Sequence, residues 1–256
     1  MELDLRNKVV VVTGAARGIG AVIAQRFAGE GSTVVAFDLA FPDPAEEPVA
    51  AHPVEQVLCN VTDPESVQAA VDEVARRHGT IDVLVNNAGI NVEGPVAEIA
   101  WERWKACFDV NVGGVFLMSQ AVAPLMQAAG GGRIINAASF AAIVPSVASA
   151  AYSASKSAVV QLTRVLASEL GPWDITVNAY APGMVPTAMN GFAEMPTEAQ
   201  DRLLDTLSLR RWESPDDVAN LLIFLASDAA SYITGTLLDV SGGKLATQIP
   251  ARAYGR

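Results

Sequence analysis

The stretch VVVVTGAARGIG, residues 9–20, decides the fold of this chain. Four consecutive valines are typical of a buried strand, and the glycines after them predict a tight turn that leads into a helix. Free N–H groups and the positive dipole end at the N-terminus of such a helix favour a pyrophosphate. Three residues rather than one separate the first two glycines, so the turn alone is a weak signal. The predicted contact residues are Gly14, Arg17, Gly18, Ile19 and Gly20.

An acidic residue, Asp38, stands where the second predicted strand ends. It follows the turn by about 20 residues, where a carboxylate can accept hydrogen bonds from the hydroxyls of an adenosine ribose. A 2′-phosphate placed there would meet a like charge, and two unit charges about 4 Å apart repel by about 4 kcal/mol at an effective dielectric of 20. The sequence therefore predicts NAD rather than NADP, although the guanidinium of Arg17 could pair with a phosphate.

Short β-branched runs alternate with longer segments of helical periodicity along the whole chain. This pattern predicts βαβ units on a parallel sheet, in one domain over residues 1–256. We expect an α/β Rossmann fold, a doubly wound seven-stranded parallel sheet flanked by helices. The predicted strands are 8–13, 33–37, 56–59, 83–86, 133–136, 176–179 and 236–240. The predicted helices are 18–29, 63–78, 101–129, 152–170 and 215–227.

Three segments depart from this alternation. Residues 41–53 are rich in Pro, Ala and Glu and are interpreted as a surface loop. Residues 184–200 begin with an irregular stretch that carries exposed apolar candidates, and they are a candidate lid over the substrate. Residues 244–256 form a C-terminal tail that either reaches a neighbouring subunit or frays.

The overall composition narrows the possible partners. Twenty-eight acidic and 17 basic residues give a net charge of −11, which repels nucleic acid and anionic membranes on average. Cys59 and Cys107 have neither disulfide nor metal-ligand spacing and fit a reducing cytoplasm. The sequence shows no signal peptide and no apolar run of the roughly 20 residues that a bilayer requires. We expect a soluble cytoplasmic enzyme without a metal.

A serine, a tyrosine and a lysine are the candidate reacting groups. Tyr152 and Lys156 are four residues apart and share one face of a predicted helix. Ser139 lies upstream, just after a predicted strand. All three can converge at the carboxyl edge of the sheet.

With these motifs the chain resembles the short-chain dehydrogenase/reductase family over residues 5–243. The resemblance is carried by the turn at residues 13–20, by NNAG at 86–89, by Asn111, by the Tyr152 and Lys156 pair, and by PGMVPT at 182–187. It implies hydride transfer between a nicotinamide and an alcohol or ketone carbon. It also implies a homotetramer, formed by pairing the long helices 101–129 and 152–170 with their copies.

The resemblance also implies the role of each reacting group. Tyr152 would be the general acid/base, and its phenol has an ordinary pKa of about 10. We expect the ammonium of Lys156 and the positive charge of the oxidised nicotinamide to favour the phenolate. Ser139 would hydrogen-bond the substrate oxygen, and Lys156 would also bind the nicotinamide ribose. Asn111 would hold a water that connects Lys156 to solvent.

The remaining cofactor contacts are carried over from the family. Asn60 stands where the family often has Asp beside the adenine, and its amide oxygen could still accept from the adenine amino group. The family's serine before Ser139 is also lacking, since Ala138 stands there. The implied cofactor contacts are Asn60, Val61, Asn87, Ala88, Gly89, Tyr152, Lys156, Pro182, Gly183, Val185 and Thr187.

The expected substrate pocket is mostly apolar, which favours an uncharged secondary alcohol, polyol or sugar, or the matching ketone, over a sugar acid. The candidate lining residues are Asn91, Val92, Phe140, Ala141, Val144, Met184, Met189 and Phe192.

Two alternatives remain open. A 3-oxoacyl-acyl-carrier-protein reductase that uses NADPH shares the scaffold, but docking an acidic carrier favours a basic rim. Residues 126–132 contain no cation. An NAD-sensing binding protein would not need Ser139, Tyr152 and Lys156 together.

Overall fold

A computed structural model of the chain describes residues 3–43, 51–187 and 191–255. Within these ranges seven parallel strands form one sheet in the order β3-β2-β1-β4-β5-β6-β7. The strands are β1 (Val9–Thr13), β2 (Thr33–Asp38), β3 (Glu55–Leu58), β4 (Val83–Asn86), β5 (Gly132–Ala137), β6 (Ile175–Pro182) and β7 (Leu237–Val240). The sheet confirms the predicted doubly wound Rossmann fold.

Helices cover both faces of the sheet. They are α1 (Gly18–Gly29), α2 (Pro64–His78), α3 (Trp101–Phe108), α4 (Gly114–Ala129), α5 (Ala150–Leu170), α6 (Thr197–Leu204) and α7 (Pro215–Ala226). The central strand β1 is covered on both faces, and all five of its residues are buried, which accounts for its run of valines.

Two apolar cores lie on opposite faces of the sheet. One contains Phe27 of α1 and Leu222 of α7. The other contains Val71 of α2 together with Met118 and Val122 of α4, and these three side chains are at most 1% exposed. The strands are therefore fixed from both sides, and their carboxyl ends meet at one edge.

The chain reverses direction across the sheet between β1 and β4. From β1 it runs outward through β2 to β3, and it returns to pair β4 with β1 on the other side. In open α/β sheets, the crevice above the carboxyl ends of two such strands is the usual ligand site. The turn after β1 and the segment after β4 both open into this crevice.

The helix predicted over 101–129 is continuous but not uniform. A π-helical turn, Asp109–Gly113, lies between α3 and α4 and contains the buried Asn111. Such turns widen a helix locally and are frequent at functional sites. The single apolar periodicity along residues 101–129 gave no sign of this turn.

The irregular segments are only partly described. Residues 44–50 of the predicted surface loop lie outside the described residues, as does Met189 of the predicted pocket. Helix α6 begins at Thr197, inside the segment predicted as a lid, where the sequence analysis expected no helix. The lid stays a prediction.

In the described part of the chain, one helix could cross a membrane by length and composition, namely Trp101–Ala129. This corrects the expectation that no apolar segment is long enough. Core helices pass the same test, and Met118, Val122 and Met126 of this helix are fully buried against the sheet.

Candidate active site

The turn after β1 is shaped by two glycines that cannot carry a side chain. A Cβ on Gly20 would lie 2.2 Å from the carbonyl oxygen of Gly14, and one on Gly14 would lie 2.8 Å from Cα of Ala88. Gly18 has φ +60°, and no atom lies within 4 Å of the position of its missing Cβ. The turn is therefore tightly packed at Gly14 and Gly20 and open at Gly18.

The segment after β4 supports this turn. The backbone amides of Asn87 and Ala88 each donate to Oγ1 of Thr13 at 3.0 Å. The side-chain Nδ2 of Asn87 donates to the carbonyl oxygens of Thr13 and Gly14 at 3.1 and 3.2 Å. Asn87 and Ala88 thus hold the turn in shape, a role that the resemblance did not imply.

The first turn of α1 offers anion-binding groups. Arg17 precedes the helix, no side chain caps its N-terminal amides, and the Arg17 side chain is exposed. At the neighbouring strand end, Asp38 accepts hydrogen bonds from the amides of Ala16 (2.9 Å) and Leu39 (2.8 Å). An open glycine turn, free helix amides and a strand-end carboxylate fit a nicotinamide dinucleotide.

Asn60 and Val61, predicted to contact the cofactor, both make contacts within the protein. The Oδ1 of Asn60 accepts from both the amide and the hydroxyl of Thr62, at 3.1 and 2.8 Å. Both lone pairs of this oxygen are then occupied, so the side-chain amino group is left to meet an adenine. Val61 packs against α4 at Gly114, where a Cβ would lie 2.9 Å from Cγ2 of Val61.

The predicted reacting groups converge at the carboxyl edge of β5. Ser139 follows β5 and is 9% exposed. Tyr152 lies in the first turn of α5, and the hydroxyl of Ser139 is close enough to its phenol to lower the phenol pKa. Lys156 lies one turn further, with its Nζ 5.8 Å from the centroid of the Tyr152 ring and 2.7 Å from the carbonyl oxygen of Ala137, to which it donates.

The charge states of this cluster differ from the expectation. Burial raises the pKa of Tyr152, and the nearby hydroxyl of Ser139 opposes this only in part. Burial also lowers the pKa of Lys156 to about 8. Because burial disfavours the charged form of both groups, it weakens the expected shift toward phenolate. The groups of this chain by themselves favour a protonated Tyr152.

Asn111 joins three segments at the floor of the site. Its Oδ1 accepts from the amide of Ile90 at 2.9 Å, and its Nδ2 donates to the carbonyl of Ile90 at 3.0 Å and to Oγ of Ser155 at 2.9 Å. A Cβ on Gly89 would lie 3.2 Å from Asn111 Oδ1 and 3.3 Å from Lys156 Nζ. The side chain thus positions the loop after β4 against α5, while the water predicted beside it stays a prediction.

The predicted substrate pocket is less apolar than expected. Phe140 is buried, and the ammonium of Lys244 lies 5.1 Å from the centre of its ring. Asn91 donates from Nδ2 to the carboxylate of Glu93 at 2.8 Å, and its Oδ1 is buried without a partner among the described residues. Both charged residues were missed at the sequence level.

The apolar candidates are spread over several environments. Val92 is buried in a small cluster with Cys107 and Ala151, whereas Val144 is 40% exposed and Ala141 is partly buried. Met184 is 2% exposed. Phe192 stacks on Trp212 with ring centres 5.6 Å apart, an aromatic partner that the sequence analysis did not predict.

The segment after β6 was predicted to meet the nicotinamide. Pro182 ends β6, and the amide of Gly183 donates to Oε2 of Glu213 at 2.6 Å. Val185 is buried in the core beside α7, and Thr187 is partly buried. Glu213 was also missed, because its partner is 30 residues away in the sequence.

Comparison with known proteins gives the family. A family model described as enoyl-(acyl carrier protein) reductase matches residues 14–244. D-Threitol dehydrogenase of Mycolicibacterium smegmatis is 42% identical over 249 residues, which is 94% of each chain. The 3-oxoacyl-[acyl-carrier-protein] reductase of Thermotoga maritima is 38% identical over 245 residues, 94% of this chain and 99% of its own. The chain belongs to the short-chain dehydrogenase/reductase family.

A solved member of the family has the same fold. It comes from Beutenbergia cavernae, is provisionally assigned as an NAD(P)-dependent gluconate 5-dehydrogenase, and holds NADP at low occupancy. It is 37% identical, with a TM-score of 0.88 over 96% of this chain and 99% of its own. As a short-chain dehydrogenase/reductase, the chain is an oxidoreductase that uses NAD or NADP and acts on hydroxyl or carbonyl groups of small molecules.

Proposed function

We propose that this short-chain dehydrogenase/reductase is an NAD-dependent dehydrogenase that oxidises a secondary alcohol, polyol or sugar to the ketone. The observation that carries the cofactor preference is the position of Asp38, whose carboxylate is tied to the phosphate turn through the amide of Ala16. A 2′-phosphate beside this fixed negative charge would be repelled. A polyol substrate agrees with the 42% identity to a threitol dehydrogenase.

In this proposal Tyr152 exchanges a proton with the substrate oxygen. The hydroxyl of Ser139, which lies near the Tyr152 phenol, would hold that oxygen in place. A bound nicotinamide would accept the hydride, and its positive charge in the oxidised form would favour the phenolate that the chain's own groups disfavour. Lys156, fixed by the carbonyl of Ala137, would bind the nicotinamide ribose.

An NADPH-dependent 3-oxoacyl-acyl-carrier-protein reductase is the second candidate. The exposed Arg17 in the phosphate turn favours it, because among the described residues no carboxylate forms an ion pair with this guanidinium. The 38% identity to the Thermotoga maritima reductase also supports it. We place it second because Asp38 lies at the predicted ribose site and the net charge of −11 disfavours an acidic carrier.

The assembly and the location of the protein are further parts of the proposal. We propose a homotetramer in the cytoplasm, in which the outer faces of α4 and α5 meet their copies. Phe116 of α4 and Val165 of α5 support this, since they are 45% and 52% exposed despite being large and apolar.

Initial rates distinguish the two functions. NADH or NADPH formation would be measured at mildly alkaline pH with secondary alcohols, polyols and sugars, and reverse rates with ketones and a β-ketoacyl thioester. We expect turnover with NAD and an uncharged alcohol. Turnover confined to NADPH and the thioester would overturn the proposal in favour of the reductase.

A further inference from the structure

A buried carboxyl group, that of Glu213, connects the turn after β6 to the start of α7. Glu213 is 7% exposed. Its Oε2 accepts from the amide of Gly183 at 2.6 Å, and its own amide donates to the carbonyl of Met184 at 3.2 Å. One residue thus holds backbone groups of two consecutive residues of the turn, Gly183 and Met184.

The second carboxyl oxygen of Glu213 is the unpaired one within the described part of the chain. Its Oε1 is buried without a hydrogen bond among the described residues. Glu213 lines a cavity of about 130 Å³ whose wall also contains Met184, Ser241, Arg211 and Asp217. A buried carboxylate is costly unless it is paired, so a carboxyl group left half paired in this way is adapted to a role other than stability.

Within residues 3–43, 51–187 and 191–255, no cation forms an ion pair with this carboxyl group. Arg211, which lines the same cavity, forms two hydrogen bonds with Asp217 at 2.7 and 2.9 Å. Burial raises the pKa of Glu213 to about 8, and the carboxylates of Asp217 on α7 and Asp239 on β7 add to this, while the amide of Gly183 and the guanidinium of Arg211 oppose it. Tyr180 of β6 also lies within electrostatic reach of Glu213.

The turn that Glu213 holds lies next to the reacting groups. Strand β6 pairs with β5, with Tyr180 beside Ala137, so Gly183 emerges at the same edge as Ser139. Tyr152 also lies within electrostatic reach of Tyr180. A side chain on Gly183 has no room, because its Cβ would lie 2.8 Å from Cα of Ser241. The turn therefore has a fixed path beside the position of the reacting ring.

We propose that Glu213 is a positioning residue for the nicotinamide end of the cofactor site, and that its negative charge favours the oxidised, cationic ring over the neutral reduced ring. This inference rests on the proposed function, since it assumes that a nicotinamide binds beside Tyr152. The carboxyl group holds the turn in either charge state through Gly183. Only its ionised form distinguishes the two redox states of the cofactor.

Two substitutions separate these roles. Glu213→Gln keeps an oxygen that accepts from Gly183 and places a neutral amide in the cavity, so it imitates the protonated acid. Glu213→Ala leaves the buried amide of Gly183 without a partner. Glu30→Gln, an exposed change on the other side of the molecule, is the matched control.

Dissociation constants of NAD and NADH, measured by tryptophan fluorescence between pH 6.5 and 9.5, test the proposal without turnover. In wild type and Glu30→Gln we expect the preference for NAD over NADH to rise about tenfold as pH passes about 8. In Glu213→Gln this rise should be lost. In Glu213→Ala both cofactors should bind about tenfold more weakly at every pH, the value of one buried hydrogen bond.

Proton release on NAD binding gives a second readout. By linkage, NAD should release a proton from Glu213 near pH 8, and titration calorimetry in two buffers of different ionisation enthalpy would detect less release in Glu213→Gln. If Glu213→Gln keeps the pH response of wild type, the inference about Glu213 is wrong while the proposed function stands. This result can be obtained even if Glu213→Ala fails to fold. A wild type that binds neither cofactor would overturn the proposed function as well.

Discussion

Asp38 and Ala16 are joined by a 2.9 Å hydrogen bond from the amide of Ala16 to the carboxylate Oδ2 of Asp38. A second bond from the amide of Leu39 holds the other oxygen. The negative charge at the end of β2 is therefore fixed in position beside the turn that begins α1. A fixed charge discriminates between ligands better than a mobile one, because it cannot relax away from a phosphate.

Replacing Asp38 should change the cofactor preference. Asp38→Ser removes a charge that would repel a 2′-phosphate by about 4 kcal/mol at about 4 Å and an effective dielectric of 20. After relaxation we expect kcat/KM for NADP relative to NAD to rise about 100-fold. Arg17→Ala is the complementary variant and should lower the relative use of NADP. Unchanged ratios in Asp38→Ser would show that the carboxylate does not face the ribose.

Removing the phenol of Tyr152 should abolish turnover while leaving cofactor binding intact. Tyr152→Phe keeps the ring under Lys156 but removes the exchangeable proton, and general acid/base catalysis contributes about 100- to 10,000-fold. Tyr232→Phe is the control, since Tyr232 is fully exposed. Wild-type oxidation should accelerate as pH rises, because burial raises the pKa of the phenol that must lose its proton. A Tyr152→Phe enzyme with more than a tenth of wild-type kcat would refute this role.

The parts of the site that local sequence determines were predictable. Gly14, Gly18 and Gly20 define their turn within seven residues, and the spacing of Tyr152 and Lys156 places both on one helical face. Features that depend on distant segments were not. Glu213 lies just before the N-cap of α7, in a sequence that is typical of a surface turn. Its contact with Gly183 depends on the path of β6, which the local sequence does not show.

The effect of burial on the charge states of the site could not be predicted for the same reason. An ammonium near a phenol suggests a lowered phenol pKa, but the sequence does not show how deeply both groups are buried. In the structure, burial has the larger effect on both Tyr152 and Lys156. The charges near the substrate pocket, Glu93 and Lys244, were missed because neither belongs to a motif.

A charged residue on the outer helices should weaken the proposed tetramer. Phe116→Glu places a carboxylate on the exposed apolar face of α4, where pairing with a copy would bury it. We expect light scattering after size exclusion to show a smaller species. Leu58→Glu, a change at a 67% exposed apolar position on the edge strand β3, is the control. An unchanged mass for Phe116→Glu would place the interface elsewhere.

Replacing Lys156 should stabilise the fold at neutral pH while abolishing activity. The pKa of Lys156 is about 8 in the folded protein and 10.5 ordinarily, so between these values the unfolded chain binds more protons. Stability therefore rises as pH increases from about 8 to about 10.5, and below pH 8 the full cost of burying the ammonium remains.

Lys156→Met removes that cost, about 3 kcal/mol from the shift, and loses the hydrogen bond to Ala137, about 1 kcal/mol. We expect urea unfolding at matched protein concentration to show Lys156→Met more stable than wild type at pH 7, with the difference shrinking by pH 10. Lys105→Met, at a position 63% exposed, should show no such pH-dependent gain. If Lys156→Met is less stable at pH 7, or its advantage does not vary with pH, the buried ammonium is not a source of instability in this site.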